Sequence, residues 1–174
     1  MINQGIVTST DSVCFSAFQL FNYSLKKTNP NVPLIVFDLG LEKSEINWCK
    51  KHKVNLIKYE NPIISKDKFM WQTWNKPDYI SRCPFKYTLW IDSDTIVYKK
   101  LTKLFDRLKK QIVSIKDYFG AEIENKKELY DLYPVEKRLE NHPNGGVLGV
   151  CKTRKKDINF LEKYLFLTKK ASES

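Results

Sequence analysis

Residues 87–97 read YTLWIDSDTIV and place two carboxylates directly after an apolar run. In an extended backbone, side chains two positions apart project to the same side, so Asp92 and Asp94 can face one point while Ser93 faces away. Two carboxylates at one point repel each other unless a positive charge lies between them. Carboxylate oxygens suit Mg²⁺ and Mn²⁺, which commonly bridge to the phosphates of a bound nucleotide. The stretch therefore predicts a strand that leads into a metal and nucleotide site.

Short apolar runs alternate with segments of helical periodicity through the first half of the chain. Strands are predicted at residues 5–9, 33–38 and 54–59, with a helix after each of the first two, the second over 44–52. Asp11 or Ser12 can cap the first helix, which should end near Thr28, and Ser44 is the predicted cap of the second. This alternation is typical of strands joined by crossover helices. The sequence therefore predicts an α/β fold with a Rossmann-like, mostly parallel sheet.

The second half of the chain continues this pattern. Pro77 fits the first turn of a short helix that runs toward Cys83, ahead of the apolar strand. Further elements are predicted as a helix over 101–108, a strand at 112–115, a buried strand at 145–150 and a helix over 157–169. Residues 62–72 and 117–143 give no clear assignment, although 128–132 favours a helix. We expect three layers, with helices on both faces of one sheet.

Composition limits the classes of partner. A chain of 174 residues, 42% of them apolar, suits a single domain with a continuous core. The formal net charge of +10 means that the surface attracts anions. The lysines are scattered through nearly every segment and no aromatic-basic RNA signature is present. This distribution favours a solvated lysine coat over nucleic-acid binding.

The spacing of the cysteines indicates which cellular compartment the protein occupies. Cys14, Cys49, Cys83 and Cys151 are far apart and form no C-x-x-C pair or zinc spacing with histidine. The N-terminus has no basic stretch followed by an apolar core, and no window reaches the roughly 18 apolar residues of a membrane span. We therefore expect a cytoplasmic protein.

Two motifs in this chain resemble those of a known enzyme class. The D-x-D stretch at 92–94 resembles the motif of nucleotide-sugar glycosyltransferases with the GT-A fold. Residues 144–148, Asn-Gly-Gly-Val-Leu, resemble a segment of the glycogenin-like branch of those enzymes. The resemblance covers about residues 5–152. It implies one GT-A domain over 1–174, with a nucleotide-binding half at about 1–100 and a sugar and acceptor half at about 101–174 whose C-terminal part is short or missing.

The resemblance also implies roles for particular residues. Thr8 and Thr10, at the end of the first strand, would contact the base and ribose, and Ser93 would lie near the ribose. Asp92 and Asp94 would hold Mn²⁺, or Mg²⁺, against the diphosphate.

The donor sugar would meet a second group of residues. Lys76, the basic residue before the D-x-D strand, would approach the donor. Asn144, Gly145 and Gly146 would line the sugar, because glycines allow it to approach the backbone closely.

The implied reaction moves a sugar from a nucleoside-diphosphate donor to an acceptor. Breaking the sugar–phosphate bond leaves new negative charge on the diphosphate, which a cation clamped by two carboxylates neutralises. The resemblance alone favours a UDP-sugar as donor. The acceptor can be a glycan, a lipid-linked glycan or a protein, and no general base can be named from the sequence.

The chain departs from the glycogenin-like pattern after residue 150. That pattern continues with an acidic or amide residue on a later helix and with a metal-binding histidine, and neither follows here. His52 and His142 both come earlier. Either the chain is a short member of the class, or water and the donor phosphates complete the metal site.

Alternatives from other classes remain open at this stage. A haloacid-dehalogenase-like phosphatase also has D-x-D after an apolar strand. In that class one more residue separates the second aspartate from the threonine, whereas Thr95 follows Asp94 directly here. A basic interaction module would bind nucleic acid or an anionic membrane without catalysis. The C-terminal helix is predicted to be apolar around most of its circumference, so it can cover a sheet, join a second subunit or rest peripherally on a membrane.

Overall fold

The structure is a computed structural model that describes residues 2–60, 75–116 and 143–173. Its strands are β1 (Ile2–Thr10), β2 (Leu34–Asp38), β3 (Asn55–Lys58), β4 (Phe85–Ile91), β5 (Val113–Lys116) and β6 (Pro143–Cys151). Its helices are α1 (Phe15–Thr28), α2 (Lys43–Lys51), α3 (Lys76–Arg82), α4 (Thr102–Leu108) and α5 (Lys155–Glu173). The side chains of 116, 143, 144 and 171–173, and the segments 62–72 and 128–132 considered above, lie outside the described residues. The predicted α/β class is confirmed.

The strands form one sheet in the order β3-β2-β1-β4-β6-β5. Strands β3, β2, β1 and β4 run parallel, whereas β6 is antiparallel to both of its neighbours, β4 and β5. Because β2 lies on one side of β1 and β4 lies on the other, the direction of winding reverses between β1 and β4. In open α/β sheets such a reversal leaves a crevice at the carboxyl ends of the two strands, where ligands bind.

Helices cover both faces of the sheet, so the predicted three-layer arrangement is confirmed. On one face α1, α2 and α4 bury a cluster that includes Ile6 of β1 and Phe18 of α1. On the other face α3 and α5 bury a cluster that includes Val7 of β1 and Tyr79 of α3. Adjacent residues of β1 thus face opposite layers, as the alternation of side chains along a strand requires.

The helix starts differ in detail from the predicted caps. Asp11 accepts a hydrogen bond from the backbone nitrogen of Cys14 at 2.8 Å, in the turn just before α1. The prediction of Ser44 as the cap of α2 is wrong, because the helix begins at Lys43 and Glu42 is its cap residue. Glu42 forms a capping box with Glu45, whose carboxylate accepts from the Glu42 backbone nitrogen at 2.7 Å.

The C-terminal helix packs mainly through one face. Leu161 is buried in the α3 and α5 layer, whereas Phe166 is exposed. Asp157 in the first turn is buried and accepts hydrogen bonds from the Cys151 backbone nitrogen and from Arg154. These contacts join the start of α5 to the end of β6.

Among the described residues, no helix combines the length and apolar character that crossing a bilayer requires. The four cysteines are free thiols.

Candidate functional site

The crevice between β1 and β4 contains the predicted D-x-D residues. The two strands run side by side, with Val7 opposite Trp90, and residues 92–94 leave the end of β4 at the same edge of the sheet. A cavity of about 170 Å³ lies here, and its walls are Ser9, Cys14, Lys76, Trp90, Asp92, Ser93 and Asp94. Both aspartates of the motif therefore border one cavity.

Asp92 is held from three directions. Its carboxylate accepts a hydrogen bond from Trp90 Nε1 at 2.7 Å and lies 2.8 Å (Oδ1) and 3.1 Å (Oδ2) from Lys76 Nζ. Its backbone nitrogen donates to the Gly146 carbonyl at 2.8 Å. Lys76 contacts both carboxylate oxygens and Trp90 donates to Oδ1, so the orientation of the carboxylate is fixed.

Lys76 is a buried cation that joins two strands. The ammonium group contacts Asp92, which follows β4, and also donates to the Gly145 carbonyl of β6 at 3.1 Å. It lies 5.5 Å from the centre of the Trp90 ring, a cation–π distance. Lysine side chains are rarely buried unless they are paired, and here the pairing is with the D-x-D motif.

An aromatic stack sets the position of Trp90. The Tyr79 ring of α3 stacks on Phe37 at 4.9 Å and on Trp90 at 5.5 Å between ring centres. Tyr59 closes the group with an edge contact to Tyr79 at 4.6 Å. The same short helix therefore supplies Lys76 and packs on the tryptophan that bonds Asp92. Pro77 at the first turn of α3 fixes where that helix begins.

Asp94 differs from Asp92 in its surroundings. Its side chain is exposed, and within the described part of the chain no hydrogen bond or ion pair engages it. Cys14 borders the same cavity, and burial, followed by the charges of Asp11 and Asp94, raises the pKa of its thiol. The thiol is therefore held in its neutral form beside an available carboxylate.

The residues expected to contact the base and ribose differ in whether they border the cavity. Thr8 and Thr10 are fully buried in β1, on the face toward α1, and Ser9 between them borders the cavity. The Thr10 hydroxyl donates to the Asp11 carbonyl at 3.3 Å. Ser93 is buried and also borders the cavity. Ser9 and Cys14 are cavity residues that no sequence motif pointed to.

The second motif lies beside the first. Ile91 at the end of β4 pairs with Val147 of β6, which places Gly145 and Gly146 next to Asp92. The carbonyls of the two glycines accept from Lys76 and from the Asp92 backbone, respectively. The backbone of Asn144 continues β6 and pairs with β5, and its side chain is outside the described set.

A second, larger cavity adjoins Gly145 on the β5 and β6 side. It has a volume of about 440 Å³ and is walled mainly by apolar atoms of Ile112, Ser114, Gly145, Leu148, Phe160, Lys163, Tyr164 and Leu167. Burial, and secondly the charge of Asp92, raises the pKa of Tyr164.

The fit to a metal ion can be judged from these side chains. Within residues 2–60, 75–116 and 143–173 there is no group of three or more His, Cys, Asp or Glu side chains that could hold one. Asp92 and Asp94 offer carboxylate oxygens to one cavity, although those of Asp92 already accept from Lys76 and Trp90. Mg²⁺ commonly takes one or two carboxylates together with water and substrate phosphates. The residues therefore fit a cation shared with a phosphorylated ligand.

Comparison with protein-family models finds no match, and comparison with curated proteins finds none either. Solved structures do match, and they show that the chain has the fold of GT-A glycosyltransferases. At identities of 17% and 18% this likeness shows the fold alone.

Three of these structures illustrate the match. An active-site mutant of LgtC has a TM-score of 0.63 at 18% identity, over 97% of this chain and 65% of that one. The glycosyltransferase GlyE of Streptococcus pneumoniae TIGR4 has a TM-score of 0.62 at 18% identity, over 100% and 40%. The bifunctional glycosyltransferase WbbM has a TM-score of 0.64 at 17% identity, over 96% and 35%. The chain thus spans less than two thirds of the length of each of these proteins.

Proposed function

We propose that the chain binds a nucleoside-diphosphate sugar in the cavity between β1 and β4 and takes part in transfer of its sugar. The observation that carries this proposal is that Asp92 and Asp94 border one cavity at the point where the winding of the sheet reverses. The GT-A fold supports it, because the solved structures that share this fold are glycosyltransferases. A UDP-sugar is the first donor to test.

The charges at the cavity suit a cation and a diphosphate together. Two carboxylates and the ammonium of Lys76 leave a net charge of minus one at the site, which attracts a cation. A divalent cation reverses that sign to plus one, and the site then attracts a diphosphate. Mn²⁺ or Mg²⁺ on Asp92 and Asp94 would neutralise the charge that develops on the leaving diphosphate.

The chain's own residues would orient the donor. Lys76 lies between Asp92 and the Gly145 carbonyl, so it fixes the two motifs relative to each other. Gly145 is exposed, and a Cβ atom added there would lie 3.7 Å from Lys76 Nζ. A sugar on the diphosphate would therefore lie beside the glycine backbone, within reach of the Lys76 ammonium. The glycogenin-like role of residues 144–146 is part of this proposal.

The acceptor would occupy the larger cavity on the other side of Gly145. Phe160 and Tyr164 offer aromatic faces, which stack on the apolar faces of sugars, and Lys163 offers a cation. A glycan, alone or carried on a lipid or protein, is the class of acceptor that this wall suits.

Thermal unfolding with ligand tests donor binding. UDP and UDP-sugars should raise the melting temperature more with Mn²⁺ than without it. A ligand at one hundred times its dissociation constant adds about 2.7 kcal/mol, or roughly 5 to 10 °C for a chain of this size.

A pair of matched variants makes this test specific. Asp94→Asn removes an exposed carboxylate of the cavity, and Asp106→Asn removes an exposed carboxylate on α4 that pairs with Lys109. We expect Asp94→Asn to abolish the Mn²⁺-dependent shift and Asp106→Asn to keep it. An equal shift in both variants would show that nucleotide binding does not use the D-x-D motif.

A further inference from the structure

The outer face of α1 presents an apolar stripe to solvent. Val13, Ser16, Leu20, Tyr23 and Lys27 recur at intervals of three and four positions, and all five are exposed. Tyr23 is 64% exposed and Leu20 is 49% exposed. This spacing places the five side chains on one side of the helix and of the turn that precedes it. The opposite side of the helix is buried against the sheet.

The loop after the D-x-D motif adds to this stripe. The Val97 backbone nitrogen donates to the Ser24 hydroxyl at 3.0 Å, and the Asn29 side chain donates to the Lys99 carbonyl at 3.1 Å. These bonds hold the loop against α1. Ile96 and Tyr98 point outward from it, and Tyr98 is 77% exposed. We name the combined surface of Val13, Leu20, Tyr23, Lys27, Ile96, Tyr98 and Lys99 the α1 surface.

Positive charge surrounds these apolar residues. The segments 13–30 and 95–105 together contain five lysines, at positions 26, 27, 99, 100 and 103, and no acidic residue. Lys27 lies 6.0 Å from the Tyr23 ring centre, and Lys99 lies 5.3 Å from the Tyr98 ring centre. The acidic residues that flank these segments are Asp11, which accepts from the Cys14 backbone, Asp94 at the cavity, and Asp106, which pairs with Lys109 at 2.8 Å. The α1 surface is therefore apolar, aromatic and cationic at once.

This combination is the one that anionic bilayers attract. Aliphatic and tyrosine side chains enter the headgroup region, where the tyrosine hydroxyl stays hydrated, and lysines around them neutralise anionic lipids. A protein partner would need carboxylates placed opposite these lysines, whereas a bilayer with anionic lipids presents negative charge across its whole surface. We propose that the α1 surface docks this chain on an anionic membrane surface.

The structure favours this surface over the C-terminal helix. Helix α5 exposes Phe166, but its exposed side also carries Glu162, which an anionic surface repels. Helix α1 carries no acidic residue. The peripheral contact that the sequence alone suggested for the C-terminal helix is therefore reassigned to α1.

Docking would bring the cavity mouth to the bilayer. Cys14, which borders the cavity, follows Val13 directly, and Ile96 lies two positions after Asp94. If the proposed sugar transfer holds, an acceptor carried on a lipid would reach the site from the membrane. That consequence rests on the proposed function, whereas docking itself does not.

Sedimentation with vesicles tests the docking. We expect the chain to bind vesicles of phosphatidylcholine with about one third phosphatidylglycerol, to ignore phosphatidylcholine alone and to dissociate at high salt. Replacing both Leu20 and Tyr23 by serine should weaken binding about tenfold. Phe166→Ser should leave it unchanged. Loss of binding in Phe166→Ser, with the α1 variant unaffected, would assign docking to α5 and overturn the proposal.

A charge-matched pair separates local attraction from net charge. Two double variants change the net charge equally: one combines Lys27→Glu with Lys99→Glu, and the other combines Lys50→Glu with Lys51→Glu. All four lysines are exposed. Only the first pair should abolish vesicle binding. An equal loss in both pairs, or no binding by the unaltered chain, would overturn the proposal.

Self-association and ligand response should also be measured for each variant. Self-association that depends on Leu20 and Tyr23, without vesicle binding, would make the α1 surface a contact between copies and would also overturn docking. The response of each variant to UDP and Mn²⁺ reports the donor cavity independently. The two proposals can therefore fail separately.

Discussion

Replacing Lys76 by methionine isolates the buried cation of the candidate site. Methionine keeps most of the side-chain volume and removes the ammonium from between Asp92 and the Gly145 carbonyl. Removing one partner of a fully buried ion pair costs about 3 to 5 kcal/mol, because the remaining charge loses its compensation. Here the Lys76 side chain is 9% exposed and that of Asp92 is 32% exposed. Water can therefore rehydrate part of the carboxylate, and the expected loss is about 1 to 3 kcal/mol.

Urea and thermal unfolding measure this loss. The melting temperature of Lys76→Met should fall by roughly 3 to 10 °C for a chain of this size. Lys109→Met is the matched control, since Lys109 lies at the same 2.8 Å from Asp106 but both side chains are about half exposed, at 48% and 58%. It should show no measurable change, because exposed ion pairs contribute little.

A double variant identifies the cause of the loss. If the unpaired carboxylate is responsible, adding Asp92→Asn to Lys76→Met should recover part of the stability. Mn²⁺ should also stabilise Lys76→Met more than the unaltered chain, because the ammonium no longer competes for Asp92. Unchanged stability in Lys76→Met, or an equal loss in the double variant, would refute this reasoning.

Three further predictions concern other parts of the molecule. Gly5→Ala should lose about 1 to 3 kcal/mol in urea unfolding, because the added Cβ would lie 2.4 Å from the Phe85 ring. Asp157→Ala should lose about 2 to 4 kcal/mol, with less helical circular dichroism, because this buried carboxylate accepts from Cys151 and Arg154. Cys14 should alkylate more slowly at about pH 8 than a peptide thiol, because its raised pKa leaves less thiolate, and UDP with Mn²⁺ should slow it further. Alkylation of the free chain at the peptide rate would contradict the first point, and a rate unchanged by UDP with Mn²⁺ would contradict the second.

The fold could be predicted from sequence because the buried face of each strand and helix leaves an apolar pattern in the chain. Strand β4 is an apolar run. The buried side of α1 carries Phe15, Phe18, Phe21 and Leu25 at helical spacing, and each pattern is local in the chain. The α2 cap could not be found in this way. The Ser12 hydroxyl donates to the Glu45 carboxylate at 2.6 Å and accepts from the Glu42 backbone at 3.2 Å. A contact across about thirty residues therefore helps Glu42 to replace the locally favoured Ser44.

The face of a strand is a second property that local sequence leaves open. The alternation in β1 separates Thr8 and Thr10 from Ser9, but it does not say which side meets the cavity. That choice depends on α3, whose Tyr79 and Lys76 lie on the Val7 and Ser9 side of the sheet. Asp92 and Asp94 meet at one cavity as expected, because both follow the same strand. The expectation that Ser93 faces away from them is wrong, because the chain turns after Asp92 and Ser93 borders the same cavity.

The contacts of Lys76 are the feature of the site that is hardest to predict from sequence. The resemblance placed Lys76 near the donor, but it did not predict that the ammonium group is buried against Asp92. Its role follows from α3 packing through Tyr79 onto Trp90, which brings the helix start to Asp92 and Gly145.

The proposed cation and sugar sites would be coupled to each other. A cation that draws Asp92 toward Asp94 would weaken the Lys76 ion pair, and Lys76 also holds the Gly145 carbonyl. Cation binding and the position of the glycine backbone are then linked through one ammonium group. Linkage is reciprocal, so a sugar that rests on that backbone and takes over the Lys76 hydrogen bonds should raise the affinity for the cation by the same factor. Titration of Mn²⁺ with UDP and with a UDP-sugar measures this factor, and Lys76→Met should bring it to one.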